Sequence, residues 1–192
     1  MRQTAQTGPM DFYAVFLRGV NVGGVKVLMQ ELSALLHDAG FSHVRTFLAS
    51  GNVVLGATGS DPARIKERIE AALDEHYGRQ IPVIVQDAAQ LGKFVAQYPF
   101  VPPQDGIARH RYLVLTGTQA DAAAIFDSAP EPTAAERLAV LDHGICWEVH
   151  RGESLGTPLA RHFAMVASKF LVTTRNMNTV EKIEAALRAA SA

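Results

Sequence analysis

The chain has 192 residues, 48% of them hydrophobic and 19% charged, with a formal net charge of −1 and a pI of about 6.7. That is enough material for a packed core in one compact domain or two small ones, and the near-neutral charge excludes a global electrostatic pull toward nucleic acid or anionic membrane. Cys146 is the single cysteine, which excludes an intrachain disulfide and any multi-cysteine zinc site, and no stretch approaches the ~20 apolar residues that span a bilayer.

The opening, residues 1–10, is polar and lacks the apolar core of a secretion signal. It is expected to be a disordered extension, and the protein is expected to be cytoplasmic. Phe12 to Leu17 then reads as a strand and Arg18 to Gly24 as a glycine loop. A helix follows, with Leu32, Leu35, Leu36 and Ala39 at helical spacing and Gly40 as its stop. Val44–Leu48 and Val53–Leu55 are short β-prone runs separated by Ala49, Ser50, Gly51 and Asn52, the chemistry of a hairpin turn. Asp61 and Pro62 suit the N-cap and first position of a second helix, whose face is Ile65, Ile69, Ala72 and Leu73 and whose end is Gly78. Ile81–Val85 closes the series as a strand. The order β-α-β-β-α-β predicts an α+β, ferredoxin-like first half over residues 11–97, an antiparallel sheet with both helices on one face.

Prolines and a glycine between Tyr98 and Gly106 disfavour regular structure, so residues 98–109 are expected to be a linker. Residues 110–192 repeat the plan in element order. Tyr112–Thr116 reads as a strand, Ala120–Ser128 as a helix, and Leu138–Leu141 with Ile145–Val149 as a hairpin turning at His143 and Gly144. A final helix is expected near Thr179, with Asn178 and Glu181 in capping-box offset and Val180, Ile183 and Leu187 as its buried stripe. No closing strand is evident in this second ferredoxin-like half.

Three segments carry residue types suited to holding an anion. In Arg18-Gly19-Val20-Asn21-Val22-Gly23-Gly24, the glycines and Asn21 permit positive φ and close approach, Arg18 supplies a fork-shaped cation, and Lys26 follows. The loop matches neither a Walker A motif, because Val25 stands where the lysine belongs, nor the dinucleotide fingerprint, because its glycines are wrongly spaced. No cofactor is therefore expected. The alternative is that these glycines only shape a strand-to-helix crossover. In Thr173-Thr174-Arg175-Asn176-Met177-Asn178-Thr179, hydroxyls, amides and a guanidinium precede a helix start, where free N–H groups favour anions. Capping alone accounts for Asn178 but does not require Arg175 or Asn176. Ser50 and Asn52 sit on a hairpin tip that turn formation also explains. The seven histidines show no metal-ligand spacing, and Cys146 beside Trp147 reads as a core or edge residue.

Taken together, the Arg18–Gly24, Ser50–Val54 and Thr173–Thr179 motifs resemble a bacterial family known as domain of unknown function sixteen-ninety-seven, from Asp11 to the C-terminal helix. The resemblance implies a two-part α+β protein with ferredoxin-like halves and brings no established reaction. Met177 stands where the family often has tryptophan, which argues against an aromatic stacking platform there. Gly152–Lys169 also lacks a small basic Ser-Lys/Arg segment associated with relatives.

The leading expectation is a binding protein for a phosphate-bearing small molecule or nucleotide in a cleft between the halves, using Arg18, Asn21, Gly23, Gly24, Lys26, Ser50, Asn52, Arg175 and Asn176. An enzyme acting on a phosphate ester is the second reading, although no general base or metal set is evident. Single-stranded nucleic-acid binding through Phe12, Tyr13 and Phe16 is disfavoured by the charge. An assembly module pairing through a sheet edge is the fourth reading. The ligand, any reaction and the oligomeric state are left open by the sequence.

Overall fold

The computed structural model describes residues 9–21, 25–59 and 61–191. The elements are β1 (Met10–Leu17), α1 (Met29–Asp38), β2 (Ser42–Phe47), β3 (Asn52–Thr58), α2 (Pro62–Tyr77), β4 (Val83–Asp87) and α3 (Ala88–Ala96). They continue with β5 (Arg109–Thr116), α4 (Gln119–Asp127), β6 (Glu136–Leu141), β7 (Gly144–His150), α5 (Pro158–Val166), β8 (Val172–Asn176) and α6 (Met177–Ala190). The fold is α+β with two four-stranded antiparallel sheets, ordered β2-β3-β1-β4 and β6-β7-β5-β8. The two orders are the same once each half is numbered from its own first strand. This is the ferredoxin-like arrangement made twice. By contact, one compact unit comprises Met1–Leu91 with Ile183–Ala192 and the other Gly92–Lys182.

In the first unit, alternation on β1 sends Tyr13, Val15 and Leu17 to the face covered by helices, where they meet Leu32 and Leu36 of α1 and Ile65, Ile69 and Leu73 of α2. Ala14 and Phe16 on the other face are buried as well, which is why β1 reads as an unbroken apolar run. Asp61 caps α2 by accepting from the Arg64 N–H at 2.9 Å, Pro62 follows it, and Gly78 ends the helix in the left-handed region.

Two charged side chains of α2, Arg68 and Glu70, are partly buried. Arg68 lies over the Phe41 ring at 4.3 Å and donates to the Ala39 carbonyl at 3.0 Å, so it closes the end of α1. Glu70 accepts from the Val83 N–H at 2.9 Å as well as from Lys66. Arg68→Ala is expected to lower stability by about 1–2 kcal/mol, since it removes a cation–π contact and a carbonyl partner together. Chemical denaturation followed by circular dichroism measures this, and an unchanged midpoint would show that the contact carries no energy.

In the second unit, Val114, Ile145, Trp147, Val149 and Val172 face Ile125 of α4 and Leu159, Phe163 and Val166 of α5. Trp147 stacks on Tyr112 at 5.0 Å, and its indole N–H donates to the buried Glu136 at 3.2 Å. Neither α5 nor the closing strand β8 is evident in the local sequence pattern, and here they complete the second sheet and its helical cover. The last helix begins two residues before the expected Thr179. α6 starts at Met177, directly after β8, and the Asn176 side chain accepts from the Asn178 N–H at 2.9 Å, so Asn176 rather than Asn178 serves the helix start. Asn178 itself accepts from Arg111 at 2.8 Å, and Arg111 also pairs with Glu181 at 3.1 Å.

Tyr98–Ala108 is irregular but anchored. The Tyr98 hydroxyl donates to Glu148 Oε1 at 2.8 Å, while Arg137 donates to Glu148 Oε2 through Nε at 2.9 Å and through a second, closer N–H, and to the Val101 carbonyl at 3.1 Å. Asp105 is held by Arg109 and the Ile107 N–H, which keep its carboxyl well below the usual range. Among the described residues no helix is long and apolar enough to cross a membrane.

Candidate functional site

The segment Arg18–Leu28 joins β1 to α1, and its described part is fixed by hydrogen bonds rather than by packing alone. The Leu17 N–H donates to the Gly51 carbonyl at 2.8 Å and the Arg18 N–H to the Pro82 carbonyl at 2.9 Å, so the end of β1 is clamped from both sides. Asn21 has φ +59, a left-handed conformation that asparagine tolerates better than most residues. Its N–H donates to the Val25 carbonyl at 2.9 Å, and its side-chain oxygen accepts from the Val27 N–H at 2.9 Å. Its side-chain nitrogen donates to the Val27 carbonyl at 2.9 Å and to the Ala49 carbonyl at 2.6 Å. Asn21 is therefore a staple that folds the loop back on itself and ties it to the β2–β3 hairpin.

Asn52 works on the hairpin in the same way. It is fully buried and donates to the Phe47 carbonyl at 2.8 Å and to Ser50 Oγ at 2.9 Å. Ser50 is exposed at the turn. Arg18 is half-buried, and Lys26 is exposed with no hydrogen bond or ion pair to the described residues. Gly23 and Gly24 lie outside the described residues. The structure thus gathers Arg18, Asn21, Lys26, Ser50 and Asn52 at one corner of the first unit, with the asparagine amides engaged in holding it together.

Three residues at this corner are not among the ligand-binding residues expected from the sequence. Gly51 has φ +71, and a Cβ there would stand 2.8 Å from Val20 Cγ2 and 2.9 Å from Leu17 Cβ. Its signal was legible as turn glycine, but the close approach of β1 was not. Leu28 and Leu48 are exposed at 54% and 63%. Leu48 also has φ +58, a conformation that costs a leucine about 1–2 kcal/mol.

In the second unit Arg175 lies on β8 opposite Leu113 and is 8% exposed. It donates to Thr173 Oγ1 at 2.6 Å and to the Thr174 carbonyl at 3.0 Å. Burial pulls its guanidinium down to about 10, which amounts to roughly 3 kcal/mol against the charged form at neutral pH. At the matching register of the first sheet stands Gln86, opposite Ala14 and also buried. Asn176 is the cap described above. Cys146 is buried and its thiol is pushed up to about 12, by burial first and then by Glu148, so it stays neutral. Among the described residues no group of three His, Cys, Asp or Glu is placed to hold a metal ion.

The two units differ in their connections. The second unit passes from β5 to α4 through Gly117 and Thr118 alone, with Thr118 capping the helix by accepting from the Asp121 N–H at 3.0 Å. Its β6–β7 turn is Asp142 and His143, where the first unit has Leu48 to Gly51.

Fold and site together define a duplicated ferredoxin-like α+β protein whose first half carries an elaborated loop corner. The chain belongs to the family described as proteins of unknown function, DUF1697, whose model matches residues 10–145. It is similar to the solved structure of a conserved bacterial protein, SP0830, from Streptococcus pneumoniae, with 26% identity and a TM-score of 0.74 over 94% of this chain and 99% of that one. No curated protein matches it.

Proposed function

We propose that the protein binds a phosphate-bearing small molecule or nucleotide in the cytoplasm, at the glycine-loop corner of its first unit. One observation carries the reading. The second unit makes the same strand-to-helix crossover with Gly117 and Thr118, and the same hairpin with Asp142 and His143. Neither elaboration in the first unit is needed to close this fold, and Asn21 bonds the two elaborations to each other. A scaffold role alone does not account for them. The corner offers the Arg18 and Lys26 cations on a backbone rich in positive φ, where N–H groups can turn toward an anion. In the second unit Arg175 is proposed as a further anion contact, because a guanidinium matches phosphate oxygens with paired N–H donors. The net charge of −1 gives a long polyanion little to hold, which favours a small ligand over nucleic acid.

Isothermal titration with inorganic phosphate and nucleoside 5′-monophosphates tests this. Wild type is expected to bind, and Arg18→Ala or Lys26→Ala to weaken binding by about tenfold or more, as loss of a charge-assisted hydrogen bond does. No heat with the wild type, or wild-type affinity in both variants, would remove the proposal.

A further inference from the structure

We infer that Asp105-Gly106 is this chain's site of spontaneous aspartate isomerisation, and that Arg109 guards it by gripping the carboxylate that the reaction consumes. No other Asp-Gly or Asn-Gly pair occurs in the sequence. Glycine is the neighbour this chemistry favours, because no side chain shields its amide nitrogen. Gly106 is exposed, and a Cβ there would have no atom within 4 Å, so no packed neighbour crowds the turn. In the reaction the Gly106 nitrogen bonds to Asp105 Cγ, and the carboxyl hydroxyl leaves with the amide proton as water, closing a cyclic imide. Water then opens the imide. Attack at Cγ restores aspartate, while attack at the main-chain carbonyl carbon leaves isoaspartate, with the chain running through Cγ. Two conditions must be met at the outset: the carboxyl must be a neutral acid able to lose its hydroxyl, and Cγ must turn onto the nitrogen of the next residue.

The fold opposes both conditions. Arg109 donates to Asp105 Oδ1 at 2.9 Å through one nitrogen and to Oδ2 at 2.6 Å through the other, a fork that favours the ionised carboxylate. Oδ1 also accepts from the Ile107 N–H at 2.9 Å, so the carboxylate is turned to the residue beyond Gly106. The guard is itself fixed in place. Arg109 belongs to β5, its side chain is only 13% exposed, and it also donates to the Ile107 carbonyl at 3.1 Å and meets His150 Nε2 at 3.2 Å. A single ion pair near the surface adds little to stability, but this one sits on the reacting group and so controls a rate. Isomerisation would move a carbon from the side chain into the main chain and take the acceptor from Ile107 and Arg109 together, releasing the end of Tyr98–Ala108 that adjoins β5.

The experiment follows isoaspartate in the tryptic peptide that contains Gly106, by electron-transfer mass spectrometry, during prolonged incubation of the full chain at neutral pH. The samples are the wild type, Arg109→Ala, and a free peptide of residues 98–108, which lacks the guard. The wild type is expected to isomerise about tenfold more slowly than the free peptide, and Arg109→Ala to recover most of that difference, as loss of charge-assisted hydrogen bonds allows. Circular dichroism establishes that the variant is folded, so that the gain in rate is local. A wild type as fast as the free peptide would overturn the inference, because the turn would then be unguarded. Arg109→Ala as slow as the wild type would overturn it as well, because the protection would then come from elsewhere. Should Arg109→Ala unfold, Arg109→Met keeps the apolar stem without the fork and gives the same comparison.

Discussion

Glu148→Ala is expected to lower the stability of the second unit by about 2–4 kcal/mol, since hydrogen bonds to a charged group contribute about 1.5–3 kcal/mol and two partners lose theirs. Glu148 is buried and has both oxygens engaged, one by the Tyr98 hydroxyl and the other by Arg137. Alanine would leave a partly exposed guanidinium and a partly exposed phenol without their acceptor, so the loss is that of the hydrogen bonds to the carboxylate. Burial first and then Glu148 raise the Tyr98 hydroxyl far above its ordinary range, which keeps it a donor at every pH the fold survives. Denaturation of the variant measures the loss. Limited proteolysis adds a local readout, with cutting between Tyr98 and Ala108 expected to accelerate. A loss below about 1 kcal/mol would place this carboxylate among the weak surface pairs.

Gly51→Ala is expected to cost about 2–5 kcal/mol. Part of this is conformational, because φ is +71 and an L residue resists the left-handed region by about 1–2 kcal/mol. The rest is crowding, since the added carbon would meet Val20 Cγ2 at 2.8 Å and Leu17 Cβ at 2.9 Å. The Leu17 atom is attached to the backbone of a central strand and cannot move aside, so overpacking adds about 1–3 kcal/mol. Gly19 is the internal control. Its φ of +68 is nearly the same, yet a Cβ there would have no atom within 4 Å. Gly19→Ala is therefore expected to show only the conformational part, and equal losses in the two variants would mean that crowding at Gly51 is relieved by adjustment of the hairpin.

The first half of the fold was legible because local signals agreed with its packing. Asp61, Pro62 and Gly78 mark α2, and the faces of α1 and α2 carry apolar residues at helical spacing. The second half was harder to read. β8 contains Thr173, Thr174, Arg175 and Asn176, which look like loop chemistry, yet Thr173 and Arg175 are buried on a sheet face. α5 includes Arg161 and His162, and the latter is buried with its ring nitrogen 3.0 Å from the Ile125 carbonyl. A polar residue satisfied by a distant backbone group gives no sign of burial in the local pattern. α3 follows β4 directly, with Asp87 accepting from the Gln90 N–H at 2.7 Å as the one local cue. At the candidate site the loop itself was visible in its glycines. The staple was not, because the partner of Asn21 at Ala49 is 28 residues away along the chain. Linker composition likewise described the irregular backbone of Tyr98–Ala108 but not its anchorage, which depends on Glu148, an acidic residue set within the apolar run Ile145–Val149.

Two sheets wired in the same order within one polypeptide also create a hazard during folding, since each central strand resembles a partner meant for the other copy. The native pairings set Gln86 opposite Ala14 and Arg175 opposite Leu113. Were β8 to capture β1 in place of β5, a guanidinium would come to lie opposite the small side chain of Ala14. Unlike residues at the matched positions, Gln86 in one sheet and Arg175 in the other, would distinguish the native pairing from the exchanged one.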